Sequence, residues 1–500
     1  MILRLDDHIS KYYAESLVLL FFPGSKFPED STLDIDRIVI TMSVSENNET
    51  ATGNVIINGE NKRSEAEYVV PLHIAKRKTK EMLYKIAVGG AMLEAGKKYT
   101  GVYPPWGMLT GVRPAKMALE IMSRGFCAEE AEQILIDDFI CTETKAKLAV
   151  NTAICEGRYI TDAARKQCSV YIAIPFCPSK CSYCSFVSFT SEKLLSLIPE
   201  YLRCLCEDIK NIFELISHTG LTVATVYIGG GTPTVLSADQ LKVLLECVNN
   251  CIDTKSLLEF TLEAGRPDTI TKEKLDIAVK YGVTRISVNT QTLNNDILAS
   301  IGRKHTADDF YSAYELAVKS GVRDINVDLI AGLPGESFES FSNSVSKIIQ
   351  LDPTNITVHT FYAKRAADVV KKNVDIYRLS DIETQSAVDF SQKALLGAGY
   401  QPYYMYRQKN TTANLENVGY SKEGHEGIYN IMMMEEIHTV FGAGASSMTK
   451  LVSRDAANMK IVRLCETKYP YEYLDAFQNG SYIEKRKNLW DETEKFYSIY

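Results

Sequence analysis

The sequence predicts an α/β chain whose centre is an open (β/α)6 barrel, preceded by a small α+β domain and followed by a small C-terminal subdomain. Three observations lead there. From Cys168 to about residue 365, apolar strand-like runs alternate with long amphipathic helical stretches, which is the pattern of a parallel sheet with crossover helices. The runs near 169–174, 223–228, 258–263, 284–288, 325–330 and 355–361 are too few to close an eight-stranded barrel, so right-handed crossovers should curl them into a partial one. Cysteine, glycine and polar motifs fall at the C-terminal ends of these runs, the end of a parallel barrel that carries an active site.

A chain of 500 residues exceeds one ordinary core, so the barrel should have attachments. The expected divisions are an α+β domain over 1–100, a helical linker over 101–165, the barrel over 166–365 and the closing part over 366–500. Hydrophobic residues at 45% and charged residues at 24% belong to a protein that folds throughout. The net charge of -8 argues against nucleic acid or an anionic membrane as general partners. The start, MILRLDDHIS, lacks a basic and apolar leader, and the early apolar run 17–22 is too short to span a bilayer. The expectation is a cytoplasmic protein without a membrane span, its 12 cysteines reduced thiols rather than a disulfide framework.

In chain order, strand-like runs at 2–5, 38–44 and 54–57 and a helical run at 78–95 make up the first domain, with turns at Phe22-Pro23-Gly24 and Asn58-Gly59. Tyr103-Pro104-Pro105-Trp106-Gly107 interrupts any helix, and helical periodicity resumes from Pro114 to about Tyr159. Arg113 and Lys116 stand at that helix start, either as a solvated linker or as groups that dock an acidic substrate. After residue 365 the periodicity weakens. A strand is expected at 400–407, and Phe441 to Ser446 reads as a glycine-rich turn before another strand. Cys204 and Cys206, and Cys247 and Cys251 one helical turn apart, read as buried core residues without assigned chemistry.

The first barrel strand runs into SVYIAIPFCPSKCSYCSF, which places Cys177, Cys181 and Cys184 on one loop. Three soft thiolates in C-x3-C-x2-C spacing, with no fourth cysteine or histidine at the usual distance, suit a closed zinc tetrahedron poorly and an iron-sulfur cluster with one open iron well. Gly229-Gly230-Gly231 ends the next strand, where the missing Cβ atoms permit close backbone approach to a ligand; a tight βα turn is the plainer alternative. Glu263 ends the third strand and suits either ligand hydroxyls and ammonium or a buried ion pair.

These residues resemble the radical S-adenosylmethionine (SAM) superfamily, in which three loop cysteines hold three irons of a 4Fe-4S cluster and SAM chelates the fourth. Tyr171, Gly229 to Thr234 and Asp328-Leu329-Ile330-Ala331-Gly332-Leu333-Pro334 are similar to the oxygen-independent coproporphyrinogen III oxidase family. The N-terminal extension and Trp106 to Pro114 most resemble its HemZ-type coproporphyrinogen dehydrogenases. The resemblance implies a cluster on Cys177, Cys181 and Cys184, and SAM contacts from Tyr171, Gly230, Gly231, Thr232 and Glu263. It further implies that Gln291, Arg303, Asp328 and Ala363 contact a second SAM, and that Tyr183 fills an aromatic position of the cluster loop. Beyond the tetrapyrrole substrate it implies a reducing electron donor. Arg303, Lys364, Arg365 and Arg113 are candidate cations for the substrate's propionates or, equally, solvated surface charges.

On this resemblance the chain is expected to be a radical SAM oxidoreductase that converts two propionates of coproporphyrinogen III to vinyl groups, giving protoporphyrinogen IX. One departure favours a different activity. The family's active oxidases carry a fourth cysteine two residues after the third; this chain has Phe186 there, as do the HemW-like haem chaperones. That alternative is a haem carrier without decarboxylase activity, although Tyr429-Asn430 replaces those chaperones' Tyr-Trp pair.

Overall fold

The computed structural model describes residues 1–27, 38–47, 49–184, 188–362, 376–408, 414–455 and 458–499. The chain forms two compact units: Met1–Ile154 with Asp375–Ser386 and Met405–Asn417, and Cys155–Val374 with Ala387–Tyr404 and Val418–Tyr500. The four-part division drawn from the sequence is a proposal about separately folding parts.

In the first unit, β1 (Ile2–Leu5) pairs parallel with β2 (Val39–Asn47), and β2, β3 (Thr50–Asn58) and β4 (Arg63–Val69) follow as antiparallel neighbours. Buried Ala51, Val55 and Ile57 of β3 join Ile86, Ala87 and Met92 of the helix Lys80–Thr100 in one core. Three elements had no counterpart in the expected runs, among them the four-residue helix Leu72–Ala75. The helix Lys11–Val18 is only 8 residues long, and β4 alternates exposed Arg63, Glu65 and Glu67 with small buried Ser64 and Ala66, which leaves almost no hydrophobic signal.

The Trp106 to Pro114 stretch is anchored in this unit's interior. The fully buried Trp106 indole donates to Glu416 Oε2 at 2.7 Å, and Lys145 Nζ donates to Glu416 Oε1 at 2.6 Å. The Arg407 guanidinium lies 5.5 Å from the Trp106 ring and donates to the carbonyls of Leu109, Gly111 and Asn414. Pro114 occupies the first turn of the helix Pro114–Ser123, as its fixed φ favours.

The second unit contains the barrel. β5 (Gln167–Ile174), β6 (Thr222–Gly230), β7 (Glu259–Leu262), β8 (Arg285–Ser287), β9 (Asp324–Ala331) and β10 (Asn355–Thr360) are sequential parallel neighbours. All six expected strands are present, and helices such as Ile198–Thr219, Ala238–Asn249 and Phe338–Leu351 connect them. The strands are buried on both faces, with Val170, Ile172 and Ile174 of β5 fully so, as a helix-covered parallel sheet requires. Side-chain caps set the helix starts: Ser237 and Gln240 form one capping box, Thr306 and Asp309 another.

The sheet does not close, which makes this a partial barrel. It is extended by β11 (Gln401–Arg407), β12 (Glu416–Ser421), β13 (Thr439–Ala443), β14 (Met448–Val452) and β15 (Ile461–Cys465), in the order β11-β12-β10-β9-β8-β7-β6-β5-β13-β14-β15. Here the reading of Phe441 to Ser446 as a turn needs correction. Phe441-Gly442-Ala443 belongs to β13, which pairs parallel with β5, and the turn begins at Gly444. Asp208 of the helix Ile198–Thr219 fixes that turn: it accepts from the Gly444 amide at 2.9 Å and from Tyr473 at 2.8 Å, and pairs with Arg486 at 2.7 Å. Among the described residues no helix is long and apolar enough to cross a membrane.

Candidate active site

The cysteine loop leaves β5 at Ile174 and is closed at its stem by Cys177 N–H donating to Phe189 O at 3.1 Å and Phe189 N–H to Pro175 O at 2.9 Å. Phe176, fully buried, meets the Tyr201 ring edge-on at 5.1 Å and anchors this end of the loop. The far side is held by Ser182 N–H on Ile301 O at 2.9 Å, and Cys184 N–H bonds Cys181 O at 3.2 Å. Cys177 and Cys181 are buried and Cys184 half-buried.

Each buried thiol has a polar neighbour. Cys177 Sγ lies 3.3 Å from Thr232 Oγ1; burial pushes its thiol up while the Thr232 and Ser188 hydroxyls oppose the shift. Cys181 Sγ accepts from Arg266 at 3.6 Å, and Arg266 is itself fixed by Asp268 at 3.1 Å. Among the described residues no three His, Cys, Asp or Glu side chains converge on one metal ion. Three thiols in C-x3-C-x2-C spacing without a fourth ligand suit a cluster with one open iron.

Beside the loop, β6 ends in glycine for steric reasons. Gly230 has φ of 110°, and a Cβ on Gly231 would lie 2.4 Å from Phe176 O. The Gly231 and Thr232 amides donate to Ile174 O at 2.8 Å and Phe176 O at 2.7 Å, which joins the glycine turn to the start of the cysteine loop. Glu263, just past β7, reaches back to it: Oε2 accepts from Gly230 N–H at 3.3 Å and Oε1 from the Tyr227 hydroxyl. Burial pushes the Glu263 carboxyl up to about 7, the bonds from Tyr227 and Gly230 opposing it and Asp328 reinforcing it. Tyr171 and Tyr227, paired across β5 and β6, stack at 6.1 Å, and Tyr429 stacks on Tyr227 at 4.5 Å.

The ends of β8 and β9 form a second polar group. Asp328 accepts from Asn289 Nδ2 at 2.7 Å and from Asn326 Nδ2 at 2.7 Å, and His359 Nε2 lies 3.7 Å away. Gln291 has φ of 76°, a conformation that side-chain-bearing residues rarely adopt; its amide bonds Asp328 O and its carbonyl accepts from Ile330 N–H, both at 3.0 Å. The residue is only 6% exposed, yet Oε1 has no hydrogen-bond partner among the described residues. A buried acceptor on a positive-φ residue is a group that a bound donor could satisfy.

Arg303 differs from a free cation. It donates to the Tyr183 hydroxyl at 2.9 Å, to Gly265 O at 3.2 Å and to Asn289 O at 3.5 Å, which ties the cysteine loop to the ends of β7 and β8. Tyr183 packs against Ile297, Ile301, Ile330, Leu333 and Phe361. Of the sequence-derived positions, Tyr171, Cys177, Cys181, Tyr183, Cys184, Gly230, Gly231, Thr232, Glu263, Gln291, Arg303 and Asp328 thus fall on one end of the barrel sheet, on strand ends and the loops after them. Ala363, Phe186, Lys364 and Arg365 lie outside the described residues. Asn289 belongs to the expected strand-end motif Asn289 to Gln291, whereas Tyr227, Arg266 and His359 were not singled out. Tyr227 had a signal, two residues before Gly229 and in step with Tyr171, whereas Arg266 reads as an ordinary charge until the loop is folded.

The family model of the Radical SAM superfamily matches residues 171–348. The oxygen-independent coproporphyrinogen-III oxidase-like protein HemZ of Bacillus subtilis (strain 168) is 35% identical over 500 residues, covering 98% of this chain and 96% of its own length. The heme chaperone HemW of the same organism is 31% identical over 64% of this chain and 82% of its own. Among solved structures, coproporphyrinogen III oxidase (HemN) from Escherichia coli superposes with a TM-score of 0.48 at 19% identity, covering 63% of this chain and 75% of that one.

Proposed function

Because the chain belongs to the radical SAM superfamily, and within it to the family of the coproporphyrinogen III oxidase-like HemZ proteins, we propose that it oxidatively decarboxylates coproporphyrinogen III to protoporphyrinogen IX. The observation that carries this reading is the likeness to HemZ along nearly the whole chain, N-terminal unit included. The superfamily works with a 4Fe-4S cluster and SAM, which when bound supply a 5′-deoxyadenosyl radical able to remove hydrogen from an unactivated carbon.

The residues of this chain divide that work. Cys177, Cys181 and Cys184 would hold the cluster, with the Arg266 guanidinium bonded to the Cys181 sulfur and the Thr232 hydroxyl beside that of Cys177. Gly230, Gly231 and Thr232, whose amides bond within the protein, would present the end of β6 to the methionine part of SAM, and Glu263 is the group to pair with its ammonium. The Tyr171 ring forms one wall. Gln291 and Asp328 offer acceptors for a second SAM or for the substrate, with Arg303 and Tyr183 fixing the loop between them. Ala363, outside the described residues, belongs to the same proposed contact set.

A second reading is favoured by the HemW likeness and by Phe186: a haem carrier that keeps the cluster but performs no decarboxylation. Measuring haem binding and anaerobic turnover on one preparation separates the two. As an enzyme, the wild type forms vinyl product, and Arg303→Ala and Asp328→Ala lose it while retaining iron, because a radical reaction tolerates little displacement of the attacked carbon. Stoichiometric haem binding with no vinyl product in the wild type would instead establish the carrier.

A further inference from the structure

On the outer side of the barrel, away from the cysteine loop, three more cysteines meet. Cys206 lies in the helix Ile198–Thr219, Cys247 near the end of the helix Ala238–Asn249, and Cys251 in the turn after it. The Cys247 thiol donates to Cys206 O at 3.5 Å and is in hydrogen-bonding contact with the thiols of both Cys206 and Cys251. Cys206 and Cys247 are 41 positions apart, so no local spacing joins them. Packing between the two helices does so.

Three further observations distinguish this trio from inert core. Cys206 is half-buried and lines a groove of about 630 Å³ between the two helices, together with Arg203, Glu207, Lys210 and Val243. The Lys210 ammonium acts on all three thiols. The thiols also differ in acidity: the bond from Cys247 holds Cys206 below the ordinary thiol, whereas Cys247 is pushed up to about 11 by that same pairing and Cys251 is pushed up further. The trio is not arranged around one metal ion.

We propose that Cys206 and Cys247 are a dithiol that low-molecular-weight disulfides oxidise to a reversible cross-link between the two helices. The Cys206 thiolate attacks one sulfur of the incoming disulfide, forming a mixed disulfide and releasing one small thiolate. Cys247, losing its proton to solvent, then attacks Cys206 Sγ, closing the Cys206–Cys247 bond and releasing the second small thiol. Two protein thiols are oxidised and one external disulfide is reduced. The linked helices are the crossovers that follow β5 and β6, the strands that end in the cysteine loop and the glycine turn.

The test uses the full-length protein, kept anaerobic, with oxidised glutathione as the probe, followed by acid quench, alkylation of free thiols and peptide mapping. The proposal expects one Cys206–Cys247 cross-linked peptide, reversed by dithiothreitol, retained in Cys251→Ser and absent in Cys247→Ser, which should instead keep glutathione on Cys206. It is overturned if wild-type Cys206 and Cys247 are both recovered alkylated, if glutathione stays on Cys206 without a cross-link, or if the bridge joins Cys247 to Cys251. Wild-type protein alone decides these outcomes should a variant fail to fold.

Discussion

Glu263 is held by Tyr227 and Gly230 in a site where burial raises its carboxyl from 4.5 to about 7. The folded, ligand-free protein therefore keeps a proton there that the unfolded chain has lost, and its stability should fall as pH rises from 4.5 to about 7. Glu263→Gln should flatten that fall, as thermal unfolding at a series of pH values would reveal; an unchanged profile would contradict the raised carboxyl. The ammonium of SAM prefers the carboxylate, so SAM affinity should strengthen as pH rises through about 7. Glu263→Ala should weaken SAM binding by about 1.5–3 kcal/mol, roughly ten- to a hundredfold, with the iron-sulfur absorbance as internal control. Wild-type affinity in that variant would leave Glu263 a structural residue. At Gly231 the constraint is steric: a Cβ 2.4 Å from Phe176 O makes Gly231→Ala an overpacking change of about 1–3 kcal/mol, read by chemical denaturation.

At the scale of elements, the first unit is fastened by a buried pair, Lys145–Glu416, whose side chains are 1% and 0% exposed. Lys145→Met should destabilise by about 3–5 kcal/mol because it leaves the Glu416 charge buried without its cation, and Lys145→Met with Glu416→Gln should recover much of the loss. A urea titration in which the double variant is no more stable than the single one would contradict this. These residues also mark what sequence could not convey. The six barrel strands were legible because each is a short apolar run bounded by turn residues, and the cysteine loop because its spacing is local. Lys145 and Glu416, 271 positions apart, carry no mutual signal, and Trp106 read as part of a linker because its partner comes so late in the chain. β13 was hidden by its own glycine at 442, and the Asn289–Asp328 bond needed β8 and β9 to be paired first.

For the molecule as a whole, one loop would build the cofactor site and the rest of the barrel would aim it. Anaerobically reconstituted protein should bind about four irons per chain, and Cys177→Ala, Cys181→Ala or Cys184→Ala should each lose them, while Cys251→Ser keeps them. Iron content unchanged in the loop variants would end the cluster assignment.

Whether this site directs radical chemistry at a tetrapyrrole is decided by one anaerobic incubation of wild-type protein with SAM, a strong reductant and coproporphyrinogen III, with products separated by mass. The expected product is protoporphyrinogen IX, with two of the four propionates converted to vinyl and one carbon dioxide and one 5′-deoxyadenosine released for each conversion. Protein with a full complement of iron that binds SAM and yet returns coproporphyrinogen unchanged would contradict it.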